Sequence, residues 1–187
     1  MGYLNITNIE FKQGNGKIKE PLLLEVKFDC LKDINNEVSW RLIYVADPDE
    51  DKHDQILDEI FMDKLEYGVN NFDWEVSPPD YSKLSNPYDV FDTTIIMVIV
   101  LIEGREFFRC SYLVTHEYDN EEMRDNPPDQ IDWDRLVRKI KTDNPVITIK
   151  EIAWEELKSN SGTSNPQLIT ETSDPRFQGF DILASNK

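Results

Sequence analysis

The stretch Asp92–Val114, DTTIIMVIVLIEGREFFRCSYLV, constrains the fold more than any other part of the chain. Eight consecutive apolar residues, Ile95 to Ile102, run into Glu103-Gly104, and a mixed segment with Arg105, Glu106, Arg109 and Ser111 returns. A half-exposed strand alternates apolar and polar residues; one that is apolar on both faces must cover two surfaces. Register decides which side chains share a face, because a one-residue slip exchanges them all. A two-residue Glu103-Gly104 loop demands φ > 0 at Glu103, which is unfavourable for a residue with a long side chain. The expectation is therefore a three-residue loop, Ile102-Glu103-Gly104. Leu101 then opposes Arg105, Ile99 opposes Phe107, Met97 opposes Arg109, Ile95 opposes Ser111, and Thr93 opposes Leu113. One face carries Arg105, Arg109 and Ser111 and should point outward, together with Ile95, Met97, Ile99, Phe107 and Leu113. The other holds Ile96, Val98, Val100, Phe108, Cys110, Tyr112 and Val114, with Glu106 near its end, and suits a core. An outward apolar platform set with arginines marks a partner site, unless a loop, the N-terminus or the tail covers it.

Shorter strand-like runs surround this hairpin. Tyr3–Ile9 alternates, LLLEVKF spans Leu22–Phe28, WRLIYV spans Trp40–Val45, and FDWEV spans Phe72–Val76. Gln55–Met62 reads as a strand or a short helix, and Val146–Ile152 closes the series. Seven or eight such segments separated by Asn, Asp, Pro and Gly predict an all-β immunoglobulin-like sandwich. One short helix is expected near residues 132–142. Asp132 can cap it, and Trp133, Leu136, Val137 and Ile140 fall at i, i+3, i+4 and i+7. Residues 1–156 form the predicted domain. From 157 to 187 the charges cancel, Ser, Thr and Asn dominate, and a flexible tail is expected. FQGFDIL, Phe177–Leu183, is the apolar exception in that tail.

The net charge of −17, from 20 Lys+Arg and 37 Asp+Glu, argues against direct phosphate binding, which needs a basic footprint. It suits a basic protein partner instead. Cys30 and Cys110 are far apart and outside any CxxC, so buried free thiols in a reducing compartment are expected. The N-terminus lacks a secretory pattern and no run is long enough for a membrane helix, which points to a soluble intracellular protein.

Catalytic chemistry has little support. His53 and His116 are the only histidines and read as solvated surface residues; GxSxG, HExxH and a glycine-rich phosphate loop are all missing. The acidic loop Ala46–Asp54 raises a calcium reading. An EF-hand starting at Asp47 would, however, have Lys52 where Gly is needed and Asp58 where Glu is needed. No cofactor and no metal are implied.

Four segments carry a family resemblance: WRLIYVADPDEDKHDQILDEI (Trp40–Ile60), EGREFFRCSYLVTHEY (Glu103–Tyr118), RDNPPDQIDWDRL (Arg124–Leu136) and TDNPVITIKEIAWE (Thr142–Glu155). In this order they resemble the anti-silencing-function histone chaperones over roughly the first 155 residues. The resemblance implies a non-enzymatic, monomeric sandwich that binds the histone H3–H4 dimer on a concave sheet face and blocks its tetramerisation. Ile95 matches the apolar anchor of that face and Arg109 its arginine, with Thr93 and Met97 beside the anchor. Val45, Asp49, Asp54 and Asp89 match contacts at the rim. Leu113 departs, since many relatives have Tyr there. The H4 tail is expected to add as a strand around Asn144, Pro145, Val146 and Thr148.

The resemblance also implies a second site, for chromatin assembly factors carrying short basic motifs. It maps to Asp33, Glu37 and Val38, with Phe28, Ile60 and Met62 as an apolar groove. Only Glu37 remains of the acids that relatives carry in this hairpin, which implies a weaker or retuned site. A nuclear location with some cytoplasmic pool follows from the same resemblance. Two other readings stay open at this point: a sandwich module for another basic protein, and a calcium-dependent sandwich domain.

Overall fold

The computed structural model describes residues 3–46 and 53–157. Strand β3 (Leu22–Cys30) sets the pattern: Leu22, Leu24, Val26, Phe28 and Cys30 point inward and are at most 2% exposed, while the residues between them are half-buried. Period-2 alternation of this kind buries one face of a strand. Beside β3 lie β1 (Leu4–Gln13) and β6 (Gly68–Val76), in the order β1-β3-β6. The second sheet has six strands, ordered β2-β9-β8-β7-β4-β5. They are β2 (Gly16–Lys17), β4 (Val38–Val45), β5 (Gln55–Met62), β7 (Thr94–Ile102), β8 (Arg105–Tyr118) and β9 (Leu136–Ile149). Gln55–Met62 is thus a strand, at one edge.

The two sheets close over one core. Phe28, Trp40 and Phe72 meet across it with ring centroids 5.1–6.3 Å apart, and Ile96, Val98, Val100, Cys110, Tyr112 and Val114 complete the six-stranded side. The chain is an all-β, immunoglobulin-like sandwich. Cys30 and Cys110 are both buried and free, and burial pushes both thiols above their ordinary range, which disfavours the reactive thiolate.

The helix expected at 132–142 is not formed. Trp133–Arg135 is a single 3-10 turn, capped by the Asp132 side chain, and Leu136–Ile149 continues as β9. A period of two won over the helical period because Arg138 is an inward-facing residue, 1% exposed. Its guanidinium donates to the carbonyls of Gly14 (2.7 Å), Ile18 (3.4 Å) and Glu20 (3.1 Å). Leu136, Arg138 and Ile140 thus form one buried face. Among the described residues the one α-helix is α1 (Glu121–Asp125), where the Asn120 side chain accepts from Met123 N.

A second apolar cluster, with Tyr44, Tyr81, Val90, Tyr118 and Leu136, fills one end of the sandwich. His116 belongs there and is not a surface residue: it is 4% exposed. Its Nδ1 lies 2.9 Å from the Val90 carbonyl and its Nε2 3.0 Å from the Tyr81 hydroxyl. A carbonyl only accepts, so Nδ1 carries the proton and Nε2 accepts from Tyr81. Desolvation pushes the imidazole down to about 4, so it is neutral at physiological pH.

After β9 the chain packs back on the sandwich. Trp154 stacks on Tyr3 at 5.0 Å and meets the Phe107 ring edge-on at 5.6 Å. Leu157 is also buried in the core. The rest of the expected tail, 158–187, lies outside the described residues.

Candidate functional site

The turn of the β7–β8 hairpin is shorter than the sequence suggests. Ile102 opposes Arg105, leaving a two-residue loop with φ of 50° at Glu103 and 73° at Gly104. Gly104 accepts this conformation freely; Glu103 is held in it by its neighbours. The Glu103 carboxylate accepts from Asn36 Nδ2 (3.1 Å) and Glu37 N (3.2 Å), and Glu103 N donates to the Glu37 carbonyl (2.9 Å). These bonds offset the local cost that the sequence pattern exposes.

The expected register is therefore off near the turn and along the hairpin. Leu101 opposes Glu106, Ile99 opposes Arg109, Met97 opposes Ser111, and Ile95 opposes Leu113. A bulge between these pairs leaves Phe107 unpaired. A bulge turns the residues before it over. Phe107 consequently joins the main core, and Glu106 moves to the outer face beside Arg109. Beyond the bulge the two faces are those the alternation predicts: Ile96, Val98 and Val100 inward, Ile95, Met97 and Ile99 outward.

The outer face is organised in rows across four strands. Val45, Ile95 and Leu113 form one row. Ile43, Met97, Ser111 and Val146 form the next, and Arg41, Ile99, Arg109 and Thr148 the third. Seven of the expected histone-contact residues thus fall on one surface. Its apolar members, Val45, Ile95, Met97, Ile99 and Leu101, make a cluster separate from the core. The surface is not an open platform, however. Ile95 and Met97 are each 1% exposed, and Arg109 is 7% exposed.

Among the described residues, Arg109 is held from one side only. Its Nη2 donates to Glu106 Oε2 at 2.6 Å, and Lys150 Nζ reaches the same oxygen at 3.5 Å. Among the described residues, Arg109 Nε and Glu106 Oε1 are buried without hydrogen-bond partners. Unused buried donors and acceptors are costly in a finished surface, and a ligand that met them would recover that cost.

The remaining expected contacts frame this face. Asn144 and Pro145 fall in the irregularity where β9 departs from β8, since Ser111 pairs with Val146 and Leu113 with Lys141. Val146 to Ile149 then run along the sheet edge; β2 pairs only with Val137 and Arg138. No described strand covers the outer edge of Val146–Ile149, where Ile147 and Ile149 are 55% and 67% exposed. Asp54 and Thr93 lie just before β5 and β7. Asp89 lies in the 3-10 turn Pro87–Phe91, and its carboxylate accepts from Asn86 N. Asp49 lies outside the described residues, as does most of the acidic loop considered for calcium. Among the described residues no cluster of three or more His, Cys, Asp or Glu is placed to hold a metal.

The residues expected at the second site divide. Phe28 and Val38 point into the main core between the sheets, unlike Ile95 and Met97, and so do not line a surface groove. Their inward direction follows from the alternation of β3 and β4. Ile60 and Met62 are half-buried on the edge strand β5. Glu37 is exposed, and the Asp33 carboxylate accepts from Tyr67 N at 2.7 Å. The exposed apolar residues nearby, Phe61 (57%), Leu31 (51%), Tyr67 (74%) and Val69 (85%), escaped the sequence reading. Also unforeseen is an apolar hollow of roughly 440 Å³ between Tyr88, Phe91, Tyr118, Met123, Pro127 and Pro128.

Comparison with known proteins adds an independent finding. Residues 1–155 match the family described as ASF1 like histone chaperone. Over 154 residues the chain is 31% identical to the histone chaperone asf1 of Dictyostelium discoideum, covering 82% of this chain and 99% of that protein. It is 32% identical over 155 residues to the asf1 of Drosophila melanogaster, covering 83% of this chain and 71% of that one. With the ASF1 of Candida glabrata it shares 34% identity over 155 residues, which is 83% of this chain and 50% of that protein.

Proposed function

The chain belongs to the ASF1-like histone chaperone family, a family of chaperones and not of enzymes, and on that premise we propose that it binds the histone H3–H4 dimer through the outer face of β4, β7, β8 and β9. The observation that carries the reading is the cluster of Val45, Ile95, Met97 and Ile99, set apart from the core and bordered by Arg109 with an unused buried Nε. A sheet face that is apolar without serving the main core is built for a second surface.

The acidic chain attracts a strongly basic histone pair and speeds encounter. The apolar rows then cover the H3 surface through which two H3–H4 dimers would pair, which blocks tetramerisation. Arg109 contributes oriented, charge-assisted hydrogen bonds to H3 oxygens. The edge Val146–Ile149 accepts the H4 tail as an added strand, with backbone hydrogen bonds supplying much of the grip. Chromatin assembly factors with short basic motifs engage the opposite region near Glu37, Ile60 and Met62, and receive the dimer for nucleosome assembly. The site of action is the nucleus, with some cytoplasmic pool.

A pull-down with purified H3–H4 over a salt series tests this reading. Binding that weakens with salt but persists through the apolar contact is expected. No binding to H3–H4, with retention of other basic proteins, would instead favour a sandwich module of different specificity.

A further inference from the structure

The proposed function leaves one hollow of the sandwich unused. It lies where β8 ends, between the 3-10 turn Pro87–Phe91, α1 and Pro127-Pro128, and measures roughly 440 Å³. That volume admits a large side chain together with some of its backbone. On the inner side Phe91 and the buried Tyr118 meet with ring centroids 5.5 Å apart. His116 beside them spends both ring nitrogens, on the Val90 carbonyl and the Tyr81 hydroxyl, so this wall offers no free polar nitrogen. Exposed Tyr88, Pro127 and Pro128 and half-buried Met123 complete the apolar lining.

The walls are fixed before any ligand arrives. The Tyr88 hydroxyl donates to the Asp129 carbonyl at 2.9 Å and ties the 3-10 turn to the chain after Pro128. Arg124 Nη1 donates to Glu117 Oε1 (3.1 Å) and to the Tyr118 carbonyl (3.0 Å), which ties α1 to β8. Asn86 and Asp89 form a reciprocal cap that holds the turn, and the two prolines restrict φ in their segment. A preformed apolar pocket binds without the ordering cost of a flexible one.

Charge selects the occupant. Asp92, Glu121, Glu122, Asp125 and Asp129 are close in sequence to the lining residues, and among the described residues none of them forms an ion pair. The one cation in the lining, Arg124, is already committed to Glu117, which also takes Lys139 at 2.6 Å. Carboxylates gathered in this way repel one another, and a cationic partner relieves the repulsion. The hollow is also separate from both sites described above. Glu117 stands four residues beyond Leu113 on the same face of β8, about 13 Å from the Ile95–Leu113 row at the usual strand rise. Glu37, bonded to Glu103 at the β7–β8 turn, lies at the other end of β8, about 40 Å away on the same measure.

We propose that this hollow is a third recognition site, which takes a short linear segment of a protein partner. One aromatic or leucine side chain of that segment fills the hollow, and Lys or Arg on either side of it meets the surrounding carboxylates. The site stands on the geometry and charge of this end of the sandwich and does not depend on what the outer face holds.

The test titrates the full, nitrogen-15-labelled chain with three pentapeptides, each with a central Phe, Trp or Leu flanked on both sides by Lys and Arg, and follows the amide spectrum. Saturable shifts at Tyr88, Phe91, Tyr118 and Met123 are expected with at least one of them. Alanine in place of the central residue, at equal charge, should weaken binding about tenfold or more, as for loss of an anchor, and added salt should weaken it severalfold. Met123→Lys puts a cation beside the hollow on a helix without buried residues. It should keep the rest of the spectrum and lose binding about tenfold or more. Tyr88→Ser, at a position 53% exposed, removes another wall and should do the same. No saturable shift with any of the three peptides would overturn the proposal. So would equal binding of the alanine peptide, which would reduce the effect to general attraction by an acidic surface. Shifts confined to the region of Glu37 and Ile60 or to the outer face, or unchanged binding in both variants, would overturn it as well.

Discussion

Ile95 on β7 stands directly opposite Leu113 on β8, and on its other side opposite Val45 on β4. This three-residue row is apolar throughout, yet it belongs to a cluster distinct from the main core. The hairpin that puzzled as a sequence is apolar on both sides because it serves two layers. Ile96, Val98 and Val100 hold the sandwich together, while Ile95, Met97 and Ile99 meet whatever lies on the outside.

Glu37 is expected to act separately from that face. It is exposed, and its position is fixed through its backbone N–H and carbonyl, both bonded to Glu103. Glu37→Ala therefore leaves the turn in place. It should weaken peptides bearing basic assembly-factor motifs severalfold and leave H3–H4 affinity within about twofold, as expected for loss of one exposed charge. Parallel titrations with both partners check this, and equal loss of both would merge the two sites into one.

Arg138 is predicted to be among the most costly residues to truncate. It is 1% exposed and donates to three carbonyls, of Gly14, Ile18 and Glu20. Arg138→Ala strands these acceptors in the interior, a loss of about 3–5 kcal/mol by analogy with other broken buried charge networks. Urea unfolding should show a lower midpoint with an unchanged slope. A cost below about 1 kcal/mol would mean that water replaces the guanidinium.

His116 gives the domain a pH dependence in a mildly acidic window. Its folded value is pushed down to about 4 from an ordinary 6.5, chiefly by desolvation. The unfolded chain thus binds the extra proton first, and stability falls as pH drops from about 6.5 towards 4, then levels off. Between pH 7.5 and 5 the loss is about 2 kcal/mol for this one group. The paired carboxylates Asp119 and Glu25, which lie below their usual range, remain ionised across that interval and add no comparable slope. In His116→Gln the denaturation midpoint should become nearly flat from pH 7.5 to 5. An unchanged slope would assign the effect to other groups.

How much of this was readable beforehand depends on the range over which each feature is determined. Alternation is local, so the two faces of Ile95–Ile102 and the strands around Leu22, Trp40 and Phe72 were visible in the sequence. The shared outer surface of Ile95, Arg109 and Leu113 was visible as well. The β7–β8 turn is not legible locally because Glu103 reaches its left-handed conformation through Asn36 and Glu37, far away in sequence. The Phe107 bulge is hidden for a similar reason, since Phe107 turns inward to meet Trp154. Arg138 and His116 look like surface residues until their distant carbonyl and hydroxyl partners are known. Leu136–Ile140 then reads as a helix, because a buried arginine is invisible to a hydrophobic pattern. Phe28 and Val38 were placed by resemblance at a surface groove, although their own alternation points them into the core.

The most direct test of the histone reading is a titration of purified H3–H4 dimer with the wild-type chain and with Ile95→Arg, each checked by circular dichroism and thermal melting. Ile95 lies outside the main core cluster, so the variant should keep the β-sheet spectrum and a cooperative melt. Its affinity for H3–H4 should fall at least about 30-fold, the loss expected for a central anchor worth 2 kcal/mol or more. A folded Ile95→Arg chain that binds H3–H4 as tightly as the wild type would contradict the assignment of this face.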